Sequence, residues 1–330
     1  MRFSKLITIC GAILLAAFVW AVGWAQSQSQ NQHSHPAQPG SINYVEGQAS
    51  VGEQPLSSNS VGSIQLQAGQ TLDTQSGKVE VLLTPGVFLR VNDNSSVKII
   101  NPGLADTEVE LDKGRAMVEG TDIVKDNNIR VDEDGVTTKI LKNGLYAFDS
   151  NEQTVRVFKG KAEVLENDKK IDLGRERELV LNVGAKPKPR DFDARNYEDD
   201  FFRWSALRSG YLSEASVDEA RVYVNGSPGW FGPGWYWNPW FSCYTFIPGA
   251  GIIYSPFGWG FYSPVAVYRS PFFYGGYWGR PHRFGEMHYP YGHGIEPGSR
   301  FHGSVGGFHG TGGFPRGGLG GPRGGAIGRR

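Results

Sequence analysis

SGKVEVLLTPGVFLRVNDNSSVKIIN, from Ser76 to Asn101, is the stretch that decides the fold. Val79, Val81 and Leu83 recur at every second position, and so do Val87, Leu89 and Val91, which gives each segment one apolar face of a strand. Pro85-Gly86 and Asp93-Asn94 separate the segments with turn-forming pairs. The same texture continues outward through Val109 and Leu111, Val155 and Val157, and Leu179, Leu181 and Val183. Turn signals recur at short intervals, among them Lys113-Gly114, Asp134-Gly135, Asn143-Gly144 and Lys159-Gly160. Asp-Gly and Asn-Gly tolerate positive φ and favour tight hairpins. No helical pattern of ten residues interrupts the series, so residues 41–184 are read as one all-β domain, an antiparallel β-sandwich or β-roll.

Three of these runs also carry a family resemblance. Ser76 to Asn101, VELDKGRAMVEG from Val109 to Gly120 and TVRVFKGKAEVL from Thr154 to Leu165 together resemble the FecR domain, the periplasmic part of iron-siderophore signalling regulators. The resemblance spans roughly residues 42–182 and rests on strand pattern and glycine placement. In the signalling members the domain follows a cytoplasmic anti-sigma segment and a membrane helix. Here no such segment precedes the apolar run at the N-terminus, so control of transcription is not expected to carry over. The resemblance implies an envelope-located β module that meets another protein or a polymer.

The chain begins with Arg2 and Lys5, an apolar stretch from Leu6 to Val22, and small residues at Gly23 and Ala25. This three-part pattern predicts a signal peptide over residues 1–25 and an exported protein of the periplasm or outer surface. The alternative is an uncleaved segment anchored in the inner membrane. Ile9 stands where a lipoprotein signal wants a small residue, so lipidation of Cys10 is not expected. Once the signal is removed Cys243 is the remaining thiol, no internal disulfide can close, and stability must come from burial. Residues 26–40 are polar and read as a flexible leader, with His33 and His35 solvated rather than metal-bound.

After Lys186-Pro187-Lys188-Pro189 the pattern turns helical, giving a linker and amphipathic helix over 185–222. Tyr197, Phe201, Trp204 and Tyr211 form one stripe, and Asp199 and Arg203 are spaced as an i, i+4 pair. Gly210 is expected to end or weaken this helix, and Ser216 with Glu219 fits a capping box for a further short helix.

Composition breaks near Arg221. Residues 223–330 hold 28 of the 46 Gly, 12 of the 19 Pro, eight Arg, two acids and no Lys, whereas 40–184 carry 16 basic and 23 acidic groups. The two parts can attract each other, more weakly in salt. Residues 223–281 pack 21 aromatics among Pro and Gly, which excludes long helices and predicts short extended pieces or an irregular collapse. These rings can wrap the β domain, stack on sugars or a partner, or rest at a membrane interface. If they bind, the candidates are Trp235, Trp237, Trp240 and Trp259. Residues 282–330 read as a disordered Gly/Arg/His-rich tail. Its Arg-Gly-Gly pairs resemble RNA-binding segments, but an exported chain is not expected to meet nucleic acid. The spacing of His282, His288, His293, His302 and His309 matches no tight metal motif.

No GxSxG, HExxH, Walker loop or CxxC occurs, so no catalytic residue, cofactor or metal is assigned. Asp132-Glu133-Asp134 falls at a predicted hairpin turn and is expected to be solvated, as are Asp122 and Asp126. The sequence therefore supports a non-enzymatic binding or scaffold protein of the envelope, its partner an envelope protein or polysaccharide. One alternative is a signal-sensing module acting through a membrane-anchored partner. The other is a polysaccharide-active enzyme.

Overall fold

The computed structural model describes residues 37–167, 169–181, 187–224 and 228–269. The expected signal segment, most of the leader and the whole 282–330 tail lie outside these residues. Among the described residues fifteen strands form one sheet: β1 (Ile42–Val51), β2 (Gln54–Pro55), β3 (Thr71–Thr84), β4 (Val87–Val91), β5 (Ser96–Pro102), β6 (Asp106–Lys113), β7 (Arg115–Gly120), β8 (Asn128–Glu133), β9 (Val136–Ile140), β10 (Gly144–Asp149), β11 (Thr154–Lys159), β12 (Lys161–Glu166), β13 (Lys169–Gly174), β14 (Arg177–Val180) and β15 (Arg190–Asp191). They pair in the order β13-β12-β9-β8-β6-β5-β3-β4-β7-β10-β11-β14-β15, with β1 and β2 attached beside β3. The pairing of β6 with β8 is parallel, and the other pairings of this sheet are antiparallel. The domain is all-β, as the alternation predicts.

Turn chemistry sets the register. At Asp134-Gly135 both residues take positive φ, 49° and 77°, which lets Glu133 pair directly with Val136 across a two-residue hairpin. The inner faces meet in one core that includes Val79, Val81, Val118, Val131, Phe148, Val157, Val164 and Leu173. In β6, β8 and β9 burial alternates residue by residue. Strand β4 is different, being buried at all five positions, and β7, β10 and β11 are nearly so. Their outer faces are covered too.

The cover comes from the C-terminal part of the chain. Helix α1 (Asp200–Val224) is followed by two hairpins, β16 (Gly234–Asn238) with β17 (Cys243–Ile247) and β18 (Ile252–Tyr254) with β19 (Gly260–Tyr262), and by a short helix α2 (Pro264–Arg269). These hairpins are the short extended pieces that the aromatic, Pro/Gly-rich composition predicts, more regular over 234–262 than composition alone suggests. Leu82 and Phe88 of the sheet pack against Leu212, Tyr244, Phe246 and Phe261 of the cover. Met117, Leu145 and Phe158 pack against Phe192 and Phe201. Burying one such side chain contributes about 1.5–3 kcal/mol.

Two expectations for the helix are corrected. It does not end or weaken at Gly210 but runs 25 residues through it, because the missing side chain makes room for Trp259. A Cβ at Gly210 would lie 3.2 Å from Trp259 Cε2, and Trp259 is fixed by its Nε1 donating to the Ala206 carbonyl at 3.1 Å. Ser216 likewise opens no second helix. It lies inside α1, where its Oγ accepts from Tyr262 N at 3.1 Å. Asp199 caps α1 by accepting from Phe202 N at 2.9 Å and pairs with Arg115 of β7 at 2.6 Å. Arg203 pairs with Asp200 instead.

Candidate functional site

Four charged side chains are sealed between the sheet and α1. Glu80, Arg90 and Glu119 occupy the polar positions of β3, β4 and β7, those facing away from the inner core. In an uncovered sheet they would meet water. Here all three are 0% exposed. Glu80 and Arg90 are direct partners in register, with Nε to Oε2 at 3.0 Å. Arg90 reaches Glu119 Oε2 at 2.5 Å. From α1, Arg208 pairs with Glu80 Oε1 at 2.9 Å, and its neighbour Ser209 donates to Glu119 Oε1 at 2.7 Å.

Two carboxylates thus balance two guanidinium groups. Burial opposes the charge on Glu80, but Arg208, Arg90 and the hydrogen bonds from Arg208 and Asn43 outweigh it and hold the carboxyl below its ordinary value. The Arg208 guanidinium lies 4.0 Å from the centre of the Tyr44 ring, and Arg90 lies 5.9 Å from the rings of both Phe88 and Phe257. Such cation–π contacts partly offset the loss of hydration. The network is a docking joint, since its charges pair with one another and are closed off from solvent, with Arg90 Nη2 and Arg208 Nε the guanidinium nitrogens left without a hydrogen bond.

Polar contacts from the hairpins extend the joint. Asn43 of β1 donates to the Tyr244 carbonyl at 3.0 Å and accepts from Tyr244 N at 2.7 Å. Thr245 Oγ1 donates to the Leu212 carbonyl at 2.5 Å and Ser213 Oγ to that of Gly260 at 2.6 Å. Cys243 is buried in β17 and its thiol is pushed up to about 11 by burial, against the influence of Arg208. A thiol so poor in thiolate is a poor nucleophile.

The acidic run at the β8–β9 turn is only partly the solvated loop expected for it. Asp134 is exposed, but Glu133 is buried because the β10–β11 turn packs over the end of β8. Burial, with Asp134 and Asp149 nearby, pushes Glu133 up to about 8, Arg156 acting in the opposite sense. Asp132, on the other face of β8, is pushed up to about 6 by burial and by sharing a hydrogen bond with Glu108. Asp122 is half-buried, which raises it as well, and Asp126 is exposed. Among the described residues no three acidic, His or Cys side chains are grouped as metal ligands, and no helix is long and apolar enough to cross a membrane. The histidines considered as ligands lie outside the described residues.

The strands that carry this network, together with their neighbours, coincide with a known family. Residues 70–163 match the model of the FecR protein family. The β domain is FecR-like. Two crystal structures, each described as a "putative anti-sigma factor" from Parabacteroides distasonis ATCC 8503, resemble parts of the chain. One, at 2.50 Å resolution, is 17% identical with a TM-score of 0.33 and covers 38% of this chain and 60% of its own. The other, at 1.65 Å, is 16% identical with a TM-score of 0.34 and covers 42% of this chain and 65% of its own. The chain therefore spans less than two thirds of either. No curated protein matches it.

Beside the FecR-like domain the four candidate tryptophans part company. Trp235 packs into the cluster around Leu82 and Phe88. Trp259 crosses α1 at Gly210. Trp237 is half-buried, edge-on to Tyr244 at 5.0 Å and against Gly62 of the loop after β2. Trp240, in the β16–β17 turn, is 89% exposed. The structure thus sets Trp235 and Trp259 into the joint and leaves Trp240 facing solvent. Arg208, Glu80 and Asn43 carry no signal in the local sequence pattern, because the contacts that join them to the cover span 128 and 201 positions.

Proposed function

We propose that this chain is an exported, non-enzymatic binding component of the cell envelope, in which the FecR-like sheet is the scaffold and the outward aromatic surface of the cover makes the contact. The observation that carries this reading is the sealed network of Glu80, Arg90, Glu119 and Arg208. It occupies the sheet face with the cover's own helix and leaves Trp240 and Phe231, 89% and 91% exposed, as large rings presented outward. The test is retention of the full chain on insoluble envelope polysaccharide and peptidoglycan at low and high salt, with and without substitution of the exposed rings. Retention that survives salt and falls with the rings supports the reading; no retention on either material overturns it.

The match of residues 70–163 to the FecR family favours a second reading, in which the β domain takes up a signal from an envelope partner and passes it on through a membrane-anchored neighbour. Stable co-purification with such a membrane protein, unaffected by loss of Trp240, supports this version over the first.

A further inference from the structure

Trp240 is held out by a rigid turn. Asn238 is fully buried, its Nδ2 donating to the Ala215 carbonyl of α1 at 3.2 Å. Its Oδ1 accepts from Trp240 N at 3.0 Å and from Phe241 N at 3.1 Å. Pro239 fixes one φ in the turn, and Ser242 takes a positive φ of 48° that returns the chain to β17. The backbone under the ring is thus fastened to the helix while the ring itself is in water. Preorganisation of an exposed tryptophan lowers the ordering cost of binding and is the usual property of an interface anchor.

The surroundings say what kind of ligand fits. Trp237 stands three residues away, packed against Gly62, so the Ser58–Ser63 loop borders the hairpin. That loop presents Ser58, Asn59 and Ser63 to solvent. Between Glu53 and Asp73 the sequence has no Asp, Glu, Lys, Arg or His, and between Arg221 and Arg269 it has none either. Both segments are free of ionisable charge, in a protein that is 20% charged overall, and the helix that fastens the turn at Ala215 adds acids there, Glu214 and Asp218, with no Lys or Arg nearer than Arg221. A membrane surface or an anionic polymer is held by Lys and Arg, which these segments lack. Flat rings bordered by hydroxyl and amide groups suit a ligand with apolar faces and uncharged hydroxyls.

We propose that Trp240, with Trp237 and the Ser58–Ser63 loop beside it, stacks on a neutral sugar ring of a glycan. This rests on the binding reading above and names its ligand class. The test is affinity electrophoresis of the full chain through gels containing neutral glucans, mannan or chitin oligosaccharides, with alginate as the anionic comparison. Retardation by a neutral glycan is expected, insensitive to salt, weakened about tenfold or more by Trp240→Ala and kept by Leu104→Ala, an exposed apolar side chain of the β5–β6 turn, outside the aromatic cover. Retardation by alginate alone, or equal retardation of Trp240→Ala, overturns the assignment. So does self-association that depends on Trp240, which makes the ring a contact between copies. If no neutral glycan retards the chain while insoluble envelope material still retains it, the sugar site falls and the binding reading stands. Loss of both removes both.

Discussion

Asn43 pairs with the backbone of Tyr244 as one strand pairs with another, Nδ2 donating to the carbonyl at 3.0 Å and Oδ1 accepting from the N–H at 2.7 Å. The same Nδ2 donates to Glu80 Oε1 at 2.9 Å, so one amide joins the first strand, the buried charges and the aromatic hairpin. Asn43→Ala removes both of these bonds to the Tyr244 backbone in a dry interface and is expected to cost about 2–4 kcal/mol. Asn43→Asp, which turns the donor toward Glu80 into a second acceptor, should cost at least as much. Denaturant unfolding measures both, and a wild-type midpoint for Asn43→Ala contradicts the role.

Arg208 and Glu80 form the pair across the joint. Removing Arg208 leaves two buried carboxylates, Glu80 and Glu119, to share the single guanidinium of Arg90, so Arg208→Ala is expected to destabilise by about 3–5 kcal/mol. The double change Arg208→Met with Glu80→Gln removes both charges at similar volume and should recover much of that loss. A double variant no more stable than Arg208→Ala shows that the charges themselves are not what the joint requires.

At Gly210 two effects oppose each other. Alanine improves helix propensity by about 0.8–1 kcal/mol, but its Cβ would press on the Trp259 ring at 3.2 Å, and that ring is tethered to Ala206. The tether prevents an easy shift, so Gly210→Ala is expected to lower the melting temperature and to change tryptophan emission as Trp259 is displaced. A raised melting temperature means that the ring gives way.

Glu133 sets a pH dependence of definite sign. Its folded value is pushed from the ordinary 4.5 up to about 8, so over that range the folded chain keeps a proton that the unfolded chain releases. The stability linked to that proton is complete below about 4.5 and is lost as pH rises through about 8. Asp132, pushed up to about 6, adds in the same direction at lower pH. Glu133→Gln is expected to flatten the decline at neutral and mildly alkaline pH, measured as unfolding free energy against pH. An unchanged slope assigns the dependence to other groups.

Much of the β domain is legible in the sequence because its strands obey period two where one face meets water, as in β6, β8 and β9. The same rule makes Glu80, Arg90 and Glu119 look like solvent-facing residues. Their burial comes from Arg208 and its neighbours, far along the chain and beyond the reach of any local pattern. Gly210 misleads for a related reason: a helix-weakening residue is tolerated when a distant ring needs its space. Composition announces the aromatic segment, but which tryptophans pack and which face outward depends on α1 as a template.

Since Asn43 and Tyr244 lie 201 positions apart, a chain synthesised from its N-terminus presents the sheet well before the hairpin that completes it. In that interval Glu80, Arg90 and Glu119 keep the unfinished face wetted between its exposed Leu82, Phe88 and Met117. Residues that are costly to dehydrate in the mature fold thus guard the nascent one against sticking to its neighbours.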